Sequence, residues 1–269
     1  MAADREAWHA KRLATLSADD GWLTLVGLDF LENGSYTLGA LPDCALRYQG
    51  SGAPLAGRFE VMGDSVSYRA ADGVAATLDR AACTECAMVA DDAGTPTVLR
   101  VGTLAITLVR RNGELALRVK DSASPVRTGF AGIGIYPFDD GSVVEATVEP
   151  AATGETVAIT NVMGFVEEQP VAATLRFTLA GASRSLVATA GASGRYFVVF
   201  GDQTNGTETY GGGRFLDIPS AVDGRTVIDF NRATNPPCSF TAFATCPTPP
   251  EANRLPLPIR AGERMPSGH

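Results

Sequence analysis

Histidine is almost missing from these 269 residues, with His9 and His269 the two examples. A Ser-His or Cys-His nucleophile pair would have to be built on one of them, so acid–base chemistry falls to carboxylates, Tyr, Lys or Cys. The same shortage counts against transition-metal sites built on imidazole. Lysine is scarce too: Lys11 and Lys120 are the two among 22 cations, and the rest are arginines. No stretch approaches the roughly 18 to 20 apolar residues of a membrane helix. No apolar run follows a basic N-terminus as in a secretory leader. Gly-x-Ser-x-Gly, Walker, dinucleotide-binding and His-Glu-x-x-His patterns are all lacking. A formal charge of -8 leaves no basic footprint for nucleic acid. These absences predict a cytoplasmic protein with no membrane or nucleic-acid partner, no cofactor and no metal.

Five cysteines is an odd number, and without secretion free thiols are expected. Cys83-Thr84-Glu85-Cys86 has the spacing of a redox pair or half a zinc site. Cys238 and Cys246 could complete a four-thiolate set on paper, pair with each other, or stay as buried thiols anchoring turns.

What the chain does have is alternation. After a first helix with Asp4 as cap and Trp8, Leu13 and Leu16 on one face, Asp19-Asp20-Gly21 breaks the period. A strand-like run follows over 22–28. Further strands are expected at 34–38, 44–48, 57–62, 65–70, 74–78, 97–101, 103–110 and 114–120. The second half continues with 132–137, 142–149, 155–160, 171–179, 184–189, 195–201, 213–218 and 224–230. Asn112-Gly113 is the strongest hairpin signal, because a type I′ turn needs positive φ at both positions. Strands spaced this regularly mean an all-β fold of mainly antiparallel sandwich or barrel-like sheets, with one short N-terminal helix. The expected organisation is helix 1–18 and a single β domain 19–269, with room for two lobes at about 19–95 and 96–228.

Residues 229–263, DFNRATNPPCSFTAFATCPTPPEANRLPLPIRAGE, break the alternation without becoming a linker. Phe230, Phe240, Phe243, Leu255, Leu257 and Ile259 supply apolar anchors among the prolines, so an ordered covering segment is expected. A loop this long in a compact domain tends to be functional. On the strand leading into it, Asp229 points away from the Ile228/Phe230 side.

TYGGGRFLDIP (209–219), the 229–263 block, LRVKDSASPVRTGF (117–130) and DGWLTLVGLDFLENG (20–34) resemble a bacterial domain-of-unknown-function family, number 1684. Thr234 departs from the Tyr more common there. The resemblance implies a predominantly β protein and carries no assigned activity, so no catalytic residue is transferred from it.

Three functional readings follow from the residues. In the first, Arg118, Arg127, Arg214, Arg232, Asn231, Asn235 and Arg260 bind a small polar or anionic ligand under the C-terminal segment, arginines gripping it bidentately. In the second, the same pocket hosts acid–base or hydrolytic chemistry, with Asp229 as base and Tyr210 or Lys120 as acid. The third is structural: the same side chains satisfy irregular backbone and seal a sheet edge. Asp202 to Tyr210 reads as a hairpin loop with Asn205-Gly206 at its tip, and Gly211-Gly212-Gly213 as a close-packed turn.

Overall fold

A computed structural model describes residues 2–266; His269 lies outside them. The chain falls into two compact units, one of residues 14–130 and one of residues 1–13 with 131–269. Helix α1 (Ala2–Leu16) crosses that boundary.

The first unit carries β1 (Leu25–Phe30), β2 (Gly34–Gly39), β3 (Leu46–Arg47), β4 (Gly57–Met62), β5 (Ser65–Ala70), β6 (Ala76–Leu78), β7 (Ala81–Ala82), β8 (Glu85–Met88), β9 (Val98–Val101), β10 (Leu104–Arg111) and β11 (Glu114–Asp121). They form a six-stranded sheet, β1-β11-β10-β9-β6-β7, and a five-stranded sheet, β3-β2-β4-β5-β8. Asn112 (φ 52) and Gly113 (φ 82) close the β10–β11 hairpin as expected, with Arg111 opposite Glu114. That turn fixes the register, and the register sorts the faces. Leu104, Ile106 and Leu108 of β10 point into the core with Leu115, Leu117 and Val119 of β11. Phe59 and Tyr68 of the second sheet belong to the same core. Arg118 and Lys120 are therefore placed on the opposite face. Cys83 and Cys86 are joined in a disulfide between β7 and β8, which corrects the expectation of free thiols there. Cys44, Cys238 and Cys246 are outside any disulfide.

The second unit carries β12 (Val143–Pro150), β13 (Thr156–Thr160), β14 (Val166–Leu179), β15 (Ala182–Ala190), β16 (Tyr196–Phe200), β17 (Arg214–Ile218) and β18 (Arg225–Asp229). Their sheet runs β17-β16-β15-β14-β12-β18, with β13 beside the outer half of β14. Its apolar face gathers Leu175, Phe177, Leu186, Phe200, Leu216, Ile228 and Phe230. Phe230 packs 5.4 Å from Phe200 and 6.0 Å from Phe177, centroid to centroid. Burying such a ring contributes about 1.5–3 kcal/mol and fixes where the 229–263 segment leaves the sheet.

The strand expected at 132–137 does not form. Ile135 makes one isolated bridge to Glu263, with Tyr136 N–H on the Gly262 carbonyl and Arg264 N–H on that of Gly134. Its partner is the irregular C-terminal segment, which offers too few aligned groups for a ladder. That segment instead makes short 3-10 turns at Phe230–Arg232, Pro237–Ser239 and Glu251–Asn253.

Candidate functional site

The C-terminal segment is held by polar side chains that reach across the second unit. Buried Asn253 spans two strands: Nδ2 donates to the carbonyls of Val187 and Val199, both at 2.9 Å, and Oδ1 accepts from Val187 N–H at 2.7 Å. Fully buried Arg214 donates to Asp202 at 2.7 Å and to the carbonyls of Ile259 (2.8 Å) and Ala261, with Phe200 beneath its guanidinium. Asp202 also accepts from Thr204 N–H, so the 202–210 loop is tied from within. Glu263, also fully buried, accepts from Arg12 at 2.9 Å and from Asn235 N–H at 2.6 Å. Asn235 donates in turn to the Arg264 carbonyl at 2.7 Å.

Asp229, Asn231 and Arg232 do come together. The Asp229 carboxylate accepts from Asn231 N–H and Nδ2 at 3.0 Å each and faces Arg232 Nε at 3.3 Å. Arg232 also pairs with Asp4. Asn231 grips the Asp139 main chain at both N–H and carbonyl. Arg260 holds Glu208 through Nε and Nη2, and the Tyr136 hydroxyl donates to that same carboxylate. The Arg260 hydrogen bonds first, then that of Tyr136, hold Glu208 below the usual carboxylate range against burial. A cleft of about 480 Å³ lies beside this cluster, with Leu179, Leu257 and Ile259 among its walls and Ser142 and Arg260 among its polar groups. Tyr210 is half-buried, and burial first, then the neighbouring Cys238 and Cys246, raises its phenol.

Arg118, Lys120 and Arg127 belong to the other unit. Arg127 ties down backbone, donating to the carbonyls of Ser17 (2.8 Å) and Ser122 (2.7 Å) and pairing with Asp19. Arg118 and Lys120 sit differently. Across the sheet, Lys120 lies opposite Ala105, and Ala105 lies opposite Arg100 on the far side. Arg100 and Lys120 thus flank a methyl group, two strand spacings or about 10 Å apart. Arg118 is two residues along β11 on the same face, opposite Thr107. By register the short side chains of Ala105 and Thr107 thus lie between three long cations, and the space between those cations is the notch. Trp22 covers one side, its ring 5.9 Å from the Arg118 guanidinium and 5.7 Å from the Lys120 ammonium.

Neither Arg100 nor Lys120 makes an ion pair with a carboxylate among the described residues, and Lys120 instead donates to the Asp20 carbonyl. Burial holds the Lys120 amine below its ordinary value, Asp20 opposes, and the charges of Arg118 and Arg100 depress it further. Like charges at this spacing repel, and an anion entering the notch relieves that repulsion. Arg100, Thr107 and Trp22 were not singled out from the sequence. The Asn112-Gly113 turn, by fixing the register, was the signal from which Arg118 and Lys120 could be placed on one face.

A sequence profile of the family described as "Protein of unknown function (DUF1684)" matches residues 128–264, just over half of the chain. The chain belongs to this family. The DUF1684 match takes in the C-terminal segment and its partners from Tyr136 onward, whereas Asp4 and Arg12, like Arg100, Arg118 and Lys120, precede it. No curated protein matches the chain. Among solved structures, the chain is similar to an uncharacterized protein of Haloarcula marismortui, determined by solution NMR. That pair shares 36% identity over 53% of this chain and 81% of that one, with a TM-score of 0.45. A second match, the FhaA FHA domain complexed with the intracellular domain of Rv3910, shares 17% identity over 35% of this chain and 97% of that one, with a TM-score of 0.25. At these scores neither superposition bears on the fold of this DUF1684 protein.

Proposed function

We propose that this protein binds a small, multiply charged oxyanion, a di- or tricarboxylate or a phosphate, in the notch between Arg100, Arg118 and Lys120. One observation carries the reading: three cations gather around a small-residue floor in a chain whose net charge is -8. Two guanidinium forks and an ammonium suit a ligand with several oxygens, and the Thr107 hydroxyl offers one further hydrogen bond. Trp22 supplies an apolar wall that strengthens these contacts by excluding water. Under the C-terminal segment the partners differ: Arg214, Arg232 and Arg260 each meet a carboxylate of the protein itself. There the clamping reading fits better than ligand capture.

Thermal melting in the presence of inorganic phosphate or citrate checks the proposal. A ligand at 100 times its dissociation constant adds about 2.7 kcal/mol of stability and raises the midpoint. Arg118→Gln is expected to abolish the shift, read against that variant's own unliganded midpoint. A shift that persists in Arg118→Gln, or no shift with any anion, contradicts the proposal.

A further inference from the structure

Two thiols remain outside this account. Cys238 and Cys246 are nearly buried, at 8% and 5% exposure, yet neither belongs to the apolar core of its unit. Each sulfur instead accepts a hydrogen bond from the other's main chain: Cys238 N–H to Cys246 Sγ and Cys246 N–H to Cys238 Sγ, both at 3.2 Å. The Cys238 thiol also donates to the Ala244 carbonyl at 3.2 Å. This reciprocal ring is rigid at both ends. Pro237 opens the 3-10 turn that carries Cys238, and Pro247 follows Cys246 and bridges to Asn161. A pair of buried cysteines that served only as small hydrophobes would need no such exchange of N–H donors.

We infer that Cys238 and Cys246 form a reversible oxidation site, a dithiol closed to a disulfide by hydrogen peroxide and reopened by a small dithiol. The geometry assigns the roles. Cys238 is the attacking sulfur: the Cys246 thiol and the N–H donors favour its thiolate and lower its pKa against burial, and its hydrogen bond to the Ala244 carbonyl is given up on ionisation. The Cys238 thiolate attacks one peroxide oxygen; the S–O bond forms, the O–O bond breaks, and hydroxide leaves to take up a proton as water. The Cys246 sulfur then attacks the Cys238 sulfur; the S–S bond forms, the S–O bond breaks, and the leaving hydroxide takes the Cys246 proton as a second water. Two thiols lose two electrons and two protons, and one peroxide becomes two waters. The near burial of both residues favours a small oxidant such as peroxide over attack by a protein disulfide. Tyr210 lies near enough for both cysteines to help raise its phenol.

The test starts from the full chain reduced with a small dithiol, freed of reductant and treated with stoichiometric hydrogen peroxide. Remaining thiols are alkylated and the digest is read by mass spectrometry. The expected result is a Cys238–Cys246 crosslink that dithiol reverses, with Cys44 alkylated. In Cys246→Ser, dimedone should trap a sulfenic acid on Cys238; in Cys238→Ser, no adduct should appear on Cys246. If Cys238 and Cys246 of the parent stay alkylatable at peroxide levels that oxidise Cys44, there is no such site. An adduct on Cys246 in the Cys238→Ser chain overturns the assignment of roles. Should either variant fail to fold, the parent crosslink alone decides.

Discussion

Arg214 shows how far a single residue can be read from its neighbours in sequence. Following a glycine triplet and heading a strand, it suggests an anion anchor; in the structure its charge is spent on Asp202 and on carbonyls of the 259–263 stretch. Those partners lie 12 to 49 residues away, so no local pattern announces them. Arg214→Ala strands a buried carboxylate, and such a loss typically costs about 3–5 kcal/mol. Urea unfolding should show a midpoint lowered to match, and a change under 1 kcal/mol would mean the clamp is not as drawn. Asp29 is a second residue the alternation could not flag. It accepts from the Tyr48 hydroxyl at 2.5 Å, and burial raises its carboxyl, the Tyr48 hydrogen bond opposing. Because its folded value lies above the unfolded 3.8, ionising it costs stability as pH rises through the window just above 3.8. Asp29→Asn removes that cost, so its melting point relative to the parent should climb across the same window.

At the scale of elements, period-two stretches were legible and irregular ones were not. The β10–β11 hairpin followed from Asn-Gly flanked by alternating apolar residues, and from the same rule the bounds of β4 and β5, with those of β17 and β18 to within one residue. β8, Glu85-Cys-Ala-Met88, lacks the β-branched residues that mark a strand, and its place is set by pairing with β5. The 132–137 stretch alternates well enough, but only an irregular segment lies beside it. The glycine triplet was read as a close-packed turn, and Gly213 bears this out: at φ 85, a Cβ there would come within 2.4 Å of Pro249 and 2.7 Å of the Phe200 carbonyl. Gly206 has a similar φ of 81 but open space around it. Both Ala substitutions carry the strain of positive φ, on the order of 1 kcal/mol. Gly213→Ala adds the steric cost of overpacking, about 1–3 kcal/mol more. Equal losses in denaturant melts would show that Pro249 does not pack on that turn.

At the scale of the whole chain, fold class and family were readable because both rest on repeated or contiguous patterns. The proposed notch was only half readable. Arg118 and Lys120 stand out as an i, i+2 pair, but Arg100 joins them through Ala105, and Trp22 arrives from a 3-10 turn nearly a hundred residues earlier. A chain with net charge -8 repels anions at long range, so binding at the notch should depend on short-range contacts with its cations, which competing salt anions weaken. An anion in the notch also pulls the depressed Lys120 amine back toward its ordinary 10.5. Binding should therefore take up protons, and affinity should fall as pH rises toward that value. Calorimetry in two buffers of different ionisation enthalpy reads the uptake directly.

Lys120 and Trp22 together line the proposed anion site, and Trp22 itself reports on it. In a Trp8→Phe background, titration with citrate should give a saturable change in tryptophan emission. Lys120→Met should weaken it at least tenfold, about 1.4 kcal/mol, with the fold retained by circular dichroism. An emission signal that never saturates, or one that titrates identically with and without Lys120, would contradict the account.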